Sequence, residues 1–233
     1  MARACRALGV PVVSGNASLY NESQGAAIYP TPIVGGLGLL EDVQRHCGAG
    51  FPEAGLAVVL LGTDRLTARA SDLAGSEYLN TMHGLVRGRP RIDLPLERRV
   101  QAFCRSLIVE GLAKSAHDCS DGGLAVALAE CCILGDGQVG GGGPVGFEAS
   151  GEFTNGVPPR WDAALFGEAP SRIVVALQPE HVSKALEMAS TADVPAAILG
   201  RTGGRRLSLG AFADLPVEEL AGAWYGGLSK ALQ

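Results

Sequence analysis

The sequence predicts an α/β fold with mixed strands and helices (α+β), on three observations. From Phe51 onward, short apolar runs of strand length alternate with segments whose apolar residues recur at helical spacing. Clusters of Gly, Pro, Asn and Asp punctuate those runs, ending one element and opening the next. Apolar residues make up 47% of 233 and charged residues only 18%, which is enough for a substantial core and too apolar for a disordered chain.

Each element follows in order. The opening "MARACRALG" reads as the last turns of a helix stopped by Gly9. Pro11-Val12-Val13 is expected to be a short buried strand that runs into a loop over 14–23, with another extended segment over 28–40. "LAVVLLG" at 56–62 is a strand, and 76–83 a short helix. The clearest helix covers 96–113, where Val100, Phe103, Leu107, Ile108 and Leu112 recur three or four residues apart. A second helix at 124–134 is almost wholly apolar and therefore central. "GDGQVGGGGPVG" at 135–146 is a connection; it lacks the GxxxxGK[ST] spacing of a phosphate loop. Beyond it come a strand at 145–149, a helix at 161–166, a strand at 172–177 and a Pro-initiated helix at 179–189. Strands at 196–199 and 206–209 and a final helix at 217–232 complete the pattern. Residues 1–45 read as the end of one domain and 46–233 as a whole layered one.

Charge and composition exclude several classes. A formal net charge of −5 argues against a nucleic-acid surface, and the basic groups at Arg87-Gly88-Arg89 and 201–206 are broken by turn residues and read as solvated loops. The longest apolar stretch, "GLAVVLLG" at 55–62, is far short of the roughly 20 residues that span a bilayer. With no signal peptide, a cytoplasmic location without membrane partners is the default expectation. Six cysteines without a CxxC pair read as reduced, mostly buried thiols.

Three constellations could carry chemistry. In "VPVVSGNASLYNES" at 10–23, Gly15 lets a ligand approach the main chain, the Asn16 amide oxygen is a hard ligand suited to Mg²⁺, and the Ser18 hydroxyl can donate to a substrate oxygen. Glu22 adds a carboxylate, and the same residues also suit an Asx or Ser turn after a strand. "HDCSDGGLAVALAECC" at 117–132 sets Asp118, Ser120, Asp121, Gly122 and Gly123 at a helix start. There the two aspartates would repel a bare phosphate, so the choice lies between a Mg²⁺-bridged nucleotide and an aspartate N-cap with a glycine turn. His117 beside Asp118 suits a structural hydrogen bond better than a general base. "FGEAPSR" at 166–172 joins a helix to a strand and offers Glu168, Ser171 and Arg172, with Arg172 free to clamp a phosphate or to pair with Glu168.

Taken in order, "SGNASLYNES", "PTPIVGGLGLLEDV", "HDCSDGGLAVALAE" and "FGEAPSRIVV" resemble the carboxy-terminal part of the PurL (phosphoribosylformylglycinamidine synthase) family, within the AIR synthetase superfamily. The most specific of these is the SGN-x-SLYNE pattern; SDGGL alone points only to the superfamily. The resemblance covers nearly the whole chain. It implies a PurM-like carboxy-terminal layered domain preceded by the tail of a PurM-like amino-terminal sheet domain, so that the chain is expected to begin inside a domain.

Further expectations come with the family. Its reaction is the ATP-dependent amidation of formylglycinamide ribonucleotide in purine biosynthesis, with the amide oxygen activated as an iminophosphate and displaced by ammonia from a glutaminase partner. Gly15 then looks like an ATP contact, Asn16 a Mg²⁺ ligand and Ser18 a substrate contact. The family's catalytic histidines lie in a first half without a match here, so no catalytic residue is assigned and the isolated chain is expected to be inactive. Partners implied are that amino-terminal half, a glutaminase and a small PurS-type subunit. Asp118, Ser120, Asp121, Gly122, Gly123, Glu168, Ser171 and Arg172 match copies that frame an auxiliary nucleotide site in some members. Ala169-Pro170 departs from the Ser-Gln usual in that turn and removes two polar groups, whereas Ala17 and Cys119 replace aliphatic residues and affect packing. The alternative is a non-catalytic nucleotide-binding and assembly module of the same superfamily. Under either reading the orphaned edge and apolar face of residues 10–40 are expected to drive self-association or partial disorder.

Overall fold

The computed structural model describes residues 1–16, 22–29, 31–66, 69–137, 144–151 and 160–232. They divide into two compact units, Met1–Gln44 and Arg45–Gln233.

The first unit contains helix α1 (Ala2–Leu8), ended by Gly9 at φ 71°, as the sequence predicts. A two-stranded hairpin, β1 (Glu22–Ser23) with β2 (Ala26–Ala27), turns through Gln24 and Gly25 at φ 52° and 78°. Two successive positive φ values are what a tight hairpin turn requires. The expected buried strand at Pro11-Val13 is corrected: these residues form no strand, and Val12 and Val13 are 72% and 90% exposed. Within 28–40 the described residues likewise form no strand, and Ile33, Leu37 and Leu39 are exposed. An apolar triplet lacks a strand's ladder and its burial unless a neighbouring strand supplies both.

The second unit is built on a seven-stranded sheet in the order β4-β6-β3-β7-β5-β8-β9. In chain order these are β3 (Ala57–Leu61), β4 (Ala113–Asp118), β5 (Phe147–Ala149), β6 (Ile173–Leu177), β7 (Ala196–Thr202), β8 (Arg206–Ser208) and β9 (Asp214–Pro216). All pairings are antiparallel except β5 with β8. The helices are α2 (Glu77–His83), α3 (Leu94–Val109), α4 (Gly123–Ile133), α5 (Trp161–Phe166), α6 (Val182–Thr191) and α7 (Val217–Ala231).

Alternation along the central strands divides the core in two. Val58 and Leu60 of β3 and Val174 and Ala176 of β6 join a cluster with Leu124 and Leu128 of α4 and Val217 of α7. Val59, Leu61, Val175 and Leu177 point the other way, to Val100, Phe103 and Leu107 of α3 and Ala185 and Ala189 of α6. A strand buried on both faces reads as an unbroken apolar run, which explains "AVVLL". Each fully buried leucine here contributes about 1.5–3 kcal/mol of apolar transfer free energy.

Local chemistry sets the helix ends. Ser76 Oγ accepts the Leu79 N–H at 3.3 Å to start α2, and Gly84 at φ 61° stops it. Asp93 Oδ1 accepts the Leu96 N–H at 3.1 Å to start α3. This helix stops at Val109, not Ala113, because Gly111 turns left-handed at φ 72° and releases the chain into β4. The Arg201 to Arg206 group is also corrected: Arg201 and Arg206 lie in strands, and ion pairs join Arg201 to Glu148, Arg205 to Glu218 and Arg206 to Asp214 at 2.7–2.8 Å. No helix among the described residues is long and apolar enough to cross a membrane. All six cysteines are free thiols, four of them buried.

Candidate functional site

Antiparallel pairing of β4 with β6 sets Asp118, at the end of β4, opposite Ile173, at the start of β6. That register brings the loop after β4 beside the turn before β6, so "HDCSDGG" and "FGEAPSR" meet although some fifty residues separate them. The Cys119 N–H donates to the Arg172 carbonyl at 2.9 Å and extends the ladder past the strand end.

The centre of this junction is Glu168. Its Oε1 accepts the Gly122 N–H at the start of α4 and the Glu77 N–H at the start of α2, each at 2.8 Å. Its own N–H donates to the Asp72 carbonyl at 2.8 Å. One carboxylate thus satisfies free donors of two helix N-termini, where negative charge is also favoured by the helix dipoles. The N-cap of α4 is Gly122 at φ 78°, with no side-chain cap, which corrects the expected aspartate cap. Gly123 follows at φ 69°, and a Cβ there would come within 2.5 Å of the Gly167 carbonyl oxygen. Two glycines in sequence let α4 begin directly against the end of α5.

The remaining polar groups of the turn are engaged internally. Ser171, at φ 65°, donates its hydroxyl to Glu97 Oε2 of α3 at 2.6 Å, and Gln101 holds the other oxygen of Glu97 at 2.6 Å. Arg172 donates to the Ala169 carbonyl at 3.1 Å and to the Gly167 carbonyl, so it staples its own turn and does not pair with Glu168. The Ser120 hydroxyl donates to the Asp118 carboxylate. Asp118, Ser120 and Asp121 are exposed, whereas Gly122 and Gly123 are buried.

His117 points inward from β4. Its Nδ1 lies 2.7 Å from the Asp118 carbonyl oxygen and its Nε2 3.0 Å from Glu130 Oε2 of α4. Both ring nitrogens face oxygens, so a proton lies on Nε2 or on Glu130. Burial raises the Glu130 carboxyl above its ordinary value, an effect the neighbouring His117 partly offsets. The contact ties β4 to α4, as a structural histidine does. Cys119 is buried and its thiol is pushed up to about 11, chiefly by burial.

Gly15 and Asn16 belong to the first unit and are exposed. Ser18 lies outside the described residues, as does most of the SLYNE pattern and the span 138–143 of the glycine-rich connection. Asn16 offers one hard oxygen, and among the described residues no three His, Cys, Asp or Glu side chains come together to hold a metal. A Mg²⁺ ion bound through Asn16 would therefore draw its other ligands from nucleotide phosphates, water or other protein segments. Sequence reasoning did not single out Asp72, Glu77, Glu97 or Glu130; each acts through a partner remote in the chain, and no local pattern marks it.

A mixed sheet with helices on both faces, a double-glycine helix start and a carboxylate from the adjoining turn define the class as a layered α+β domain. The chain belongs to the AIR synthase related protein family through its C-terminal domain, matched over residues 53–210. It is 44% identical over 235 residues to phosphoribosylformylglycinamidine synthase subunit PurL of Anaeromyxobacter sp. (strain Fw109-5), a match covering 99% of this chain and 29% of that protein. The same subunit of Thermomicrobium roseum is 47% identical over 232 residues, 99% of this chain and 30% of the relative. The chain thus spans about 30% of the length of these curated relatives. The fold is similar to that of T. maritima PurL complexed with FGAR, at a TM-score of 0.61 and 18% identity over 77% of this chain and 30% of that one. The ATP complex of the same protein gives a TM-score of 0.54 at 17% identity, covering 77% and 28%. PurLQS from Thermotoga maritima gives 0.54 at 16%, covering 77% and 28%.

Proposed function

We propose that the chain acts as the C-terminal portion of a phosphoribosylformylglycinamidine synthase, the ligase that amidates formylglycinamide ribonucleotide at the expense of ATP. The observation that carries this is the 44–47% identity to the PurL subunits over 99% of the chain, beyond the family domain at 53–210. In this reading residues 1–45 close the second sheet domain and 46–233 form the PurM-like domain behind it. Gly15 contacts ATP, Asn16 ligates Mg²⁺ and Ser18 contacts substrate. Turnover needs the amino-terminal portion of such an enzyme, with a glutaminase and a small PurS-type subunit as further partners, in the cytoplasm.

A second reading, a nucleotide-holding module without turnover, rests on the exposed Asp118, Ser120 and Asp121 beside the start of α4. On this reading a nucleotide displaces the internal bonds of Glu168, Ser171 and Arg172 to reach the buried Gly122 and Gly123.

Synthase activity separates the two. ADP release dependent on formylglycinamide ribonucleotide and ammonia is measured for the chain alone and mixed with the matching first portion of the Thermomicrobium roseum subunit. Activity in the mixture alone, lost on Asn16→Ala, is the expected result. Silence in the mixture, with folded and associated chains that bind ADP, favours the module.

A further inference from the structure

Between α2 and α3 the sequence Arg87-Gly88-Arg89-Pro90-Arg91 carries a guanidinium at every second residue. All three arginines line a single open cavity of about 580 Å³, together with Ser71, Ala74 and Leu79. Among the described residues no Asp or Glu lines it, although the Ser71 hydroxyl donates to the neighbouring Asp72 carboxylate at 3.5 Å.

The loop is held in place by its backbone. Gly75 donates its N–H to the Arg87 carbonyl at 2.8 Å. Gly88 sits at φ 106° and lies so close to the preceding turn that a Cβ would come within 2.5 Å of the Ala74 Cβ. Only glycine fits that approach. Pro90 then fixes φ between the second and third arginines.

The three guanidinium groups are also unspent. Among the described residues none of them forms a hydrogen bond or ion pair, a state they share with other exposed arginines such as Arg98 and Arg105. In a chain with 24 acidic and 19 basic residues, three arginines lining one cavity are a local concentration of positive charge. Planar guanidinium forks match phosphate oxygens two at a time, and three of them balance a ligand with several negative charges.

We propose that this cavity is an anion site for a small molecule carrying two or more linked phosphoryl groups, gripped by Arg87, Arg89 and Arg91. It is separate from the α4 junction in its lining residues and independent of the synthase reading. It touches that junction at one point: Ser71 belongs to the turn whose Asp72 carbonyl accepts the Glu168 N–H.

The test is calorimetric titration of the full chain with inorganic tripolyphosphate and with orthophosphate. The expected result is saturable binding of tripolyphosphate, weaker binding of orthophosphate, and a loss of at least about tenfold in the R87Q/R89Q/R91Q variant. A control variant of equal charge change, R201Q/R205Q/R206Q, should stay within about twofold, because the exposed pairs it removes contribute little. Equal losses in both variants would mean unspecific charge attraction and overturn the proposal, as would saturable binding that survives the R87Q/R89Q/R91Q change or no binding by the unaltered chain. If the triple variant fails to fold, Arg89→Gln alone carries the same comparison. The titration uses neither a complementing portion nor formylglycinamide ribonucleotide, so its outcome is distinguishable from failure of the synthase reading.

Discussion

The Glu168 carboxylate accepts the Gly122 N–H at 2.8 Å across 46 residues of sequence, and the same oxygen takes the Glu77 N–H. Two helix N-termini thereby share one acceptor. Glu168→Ala leaves both donors without it, one of them partly buried, and is expected to destabilise the chain by about 2–3 kcal/mol. The melting temperature should fall by roughly 4–12 °C for a chain of this size. Glu168→Gln keeps an acceptor oxygen and should cost about half as much. Urea and thermal unfolding of the two variants check this; equal losses would show that charge, not acceptance, is what matters.

Gly123 has no room for a side chain. At φ 69° a Cβ would meet the Gly167 and Leu165 carbonyl oxygens at 2.5 and 2.9 Å, all main chain and unable to swing aside. Gly123→Ala should cost about 2–5 kcal/mol from strain and overpacking together. Gly204 has a similar φ of 64° with nothing within 4 Å, so Gly204→Ala should cost only about 1 kcal/mol. A comparable loss at both positions would refute the packing argument.

The burial of Glu130 beside His117 predicts a pH dependence of known sign. Burial raises the Glu130 carboxyl above its ordinary 4.5, so the folded state binds that proton more tightly than the unfolded one. Its contribution to stability is therefore full below about pH 4.5 and is lost as pH rises through the elevated folded value. Glu130→Gln removes this slope. Urea midpoints followed from pH 4 to 7 should show the unaltered chain losing stability relative to the variant as pH rises; the opposite trend would sink the assignment.

Thiol chemistry reports the packing of the second unit. Burial pushes Cys104 and Cys119 up to about 11 and Cys132 to about 12, and Cys131 well above the usual range. Cys5 and Cys47 are the two thiols that are not buried, and burial raises Cys47 as well. At pH 8 a thiol reagent should label Cys5 first and Cys47 more slowly. The other four should react only in denaturant. Rapid labelling of all six without denaturant would show that the core does not exclude solvent from these thiols.

Much of the second unit was legible in the sequence because its determinants are local. The run Ala57–Leu61, the spacing of Val100, Phe103 and Leu107, and the apolar Gly123–Ile133 segment each announce a strand or helix from within themselves. The short helix expected at 76–83 appears as α2, whose Ser76 cap and Gly84 stop the structure supplies. Strand β4 was not legible: "AKSAHD" has little apolar alternation, and it becomes a strand only because β6 pairs with it and Gly48 bridges to Ser115.

The amino-acid sequence by itself determined the mixed α/β class, the central strand and helices, and through "SGNASLYNES" and "SDGGL" the family resemblance. Tertiary structure alone decided what the candidate residues do. The β4–β6 register set Asp118 beside the turn that holds Glu168, Ser171 and Arg172, and their polar groups then found Gly122, Glu77, Glu97 and nearby carbonyls. The physical reason is range: periodicity and caps act within a few residues, whereas those bonds join groups up to 91 residues apart and exist only once the sheet has closed.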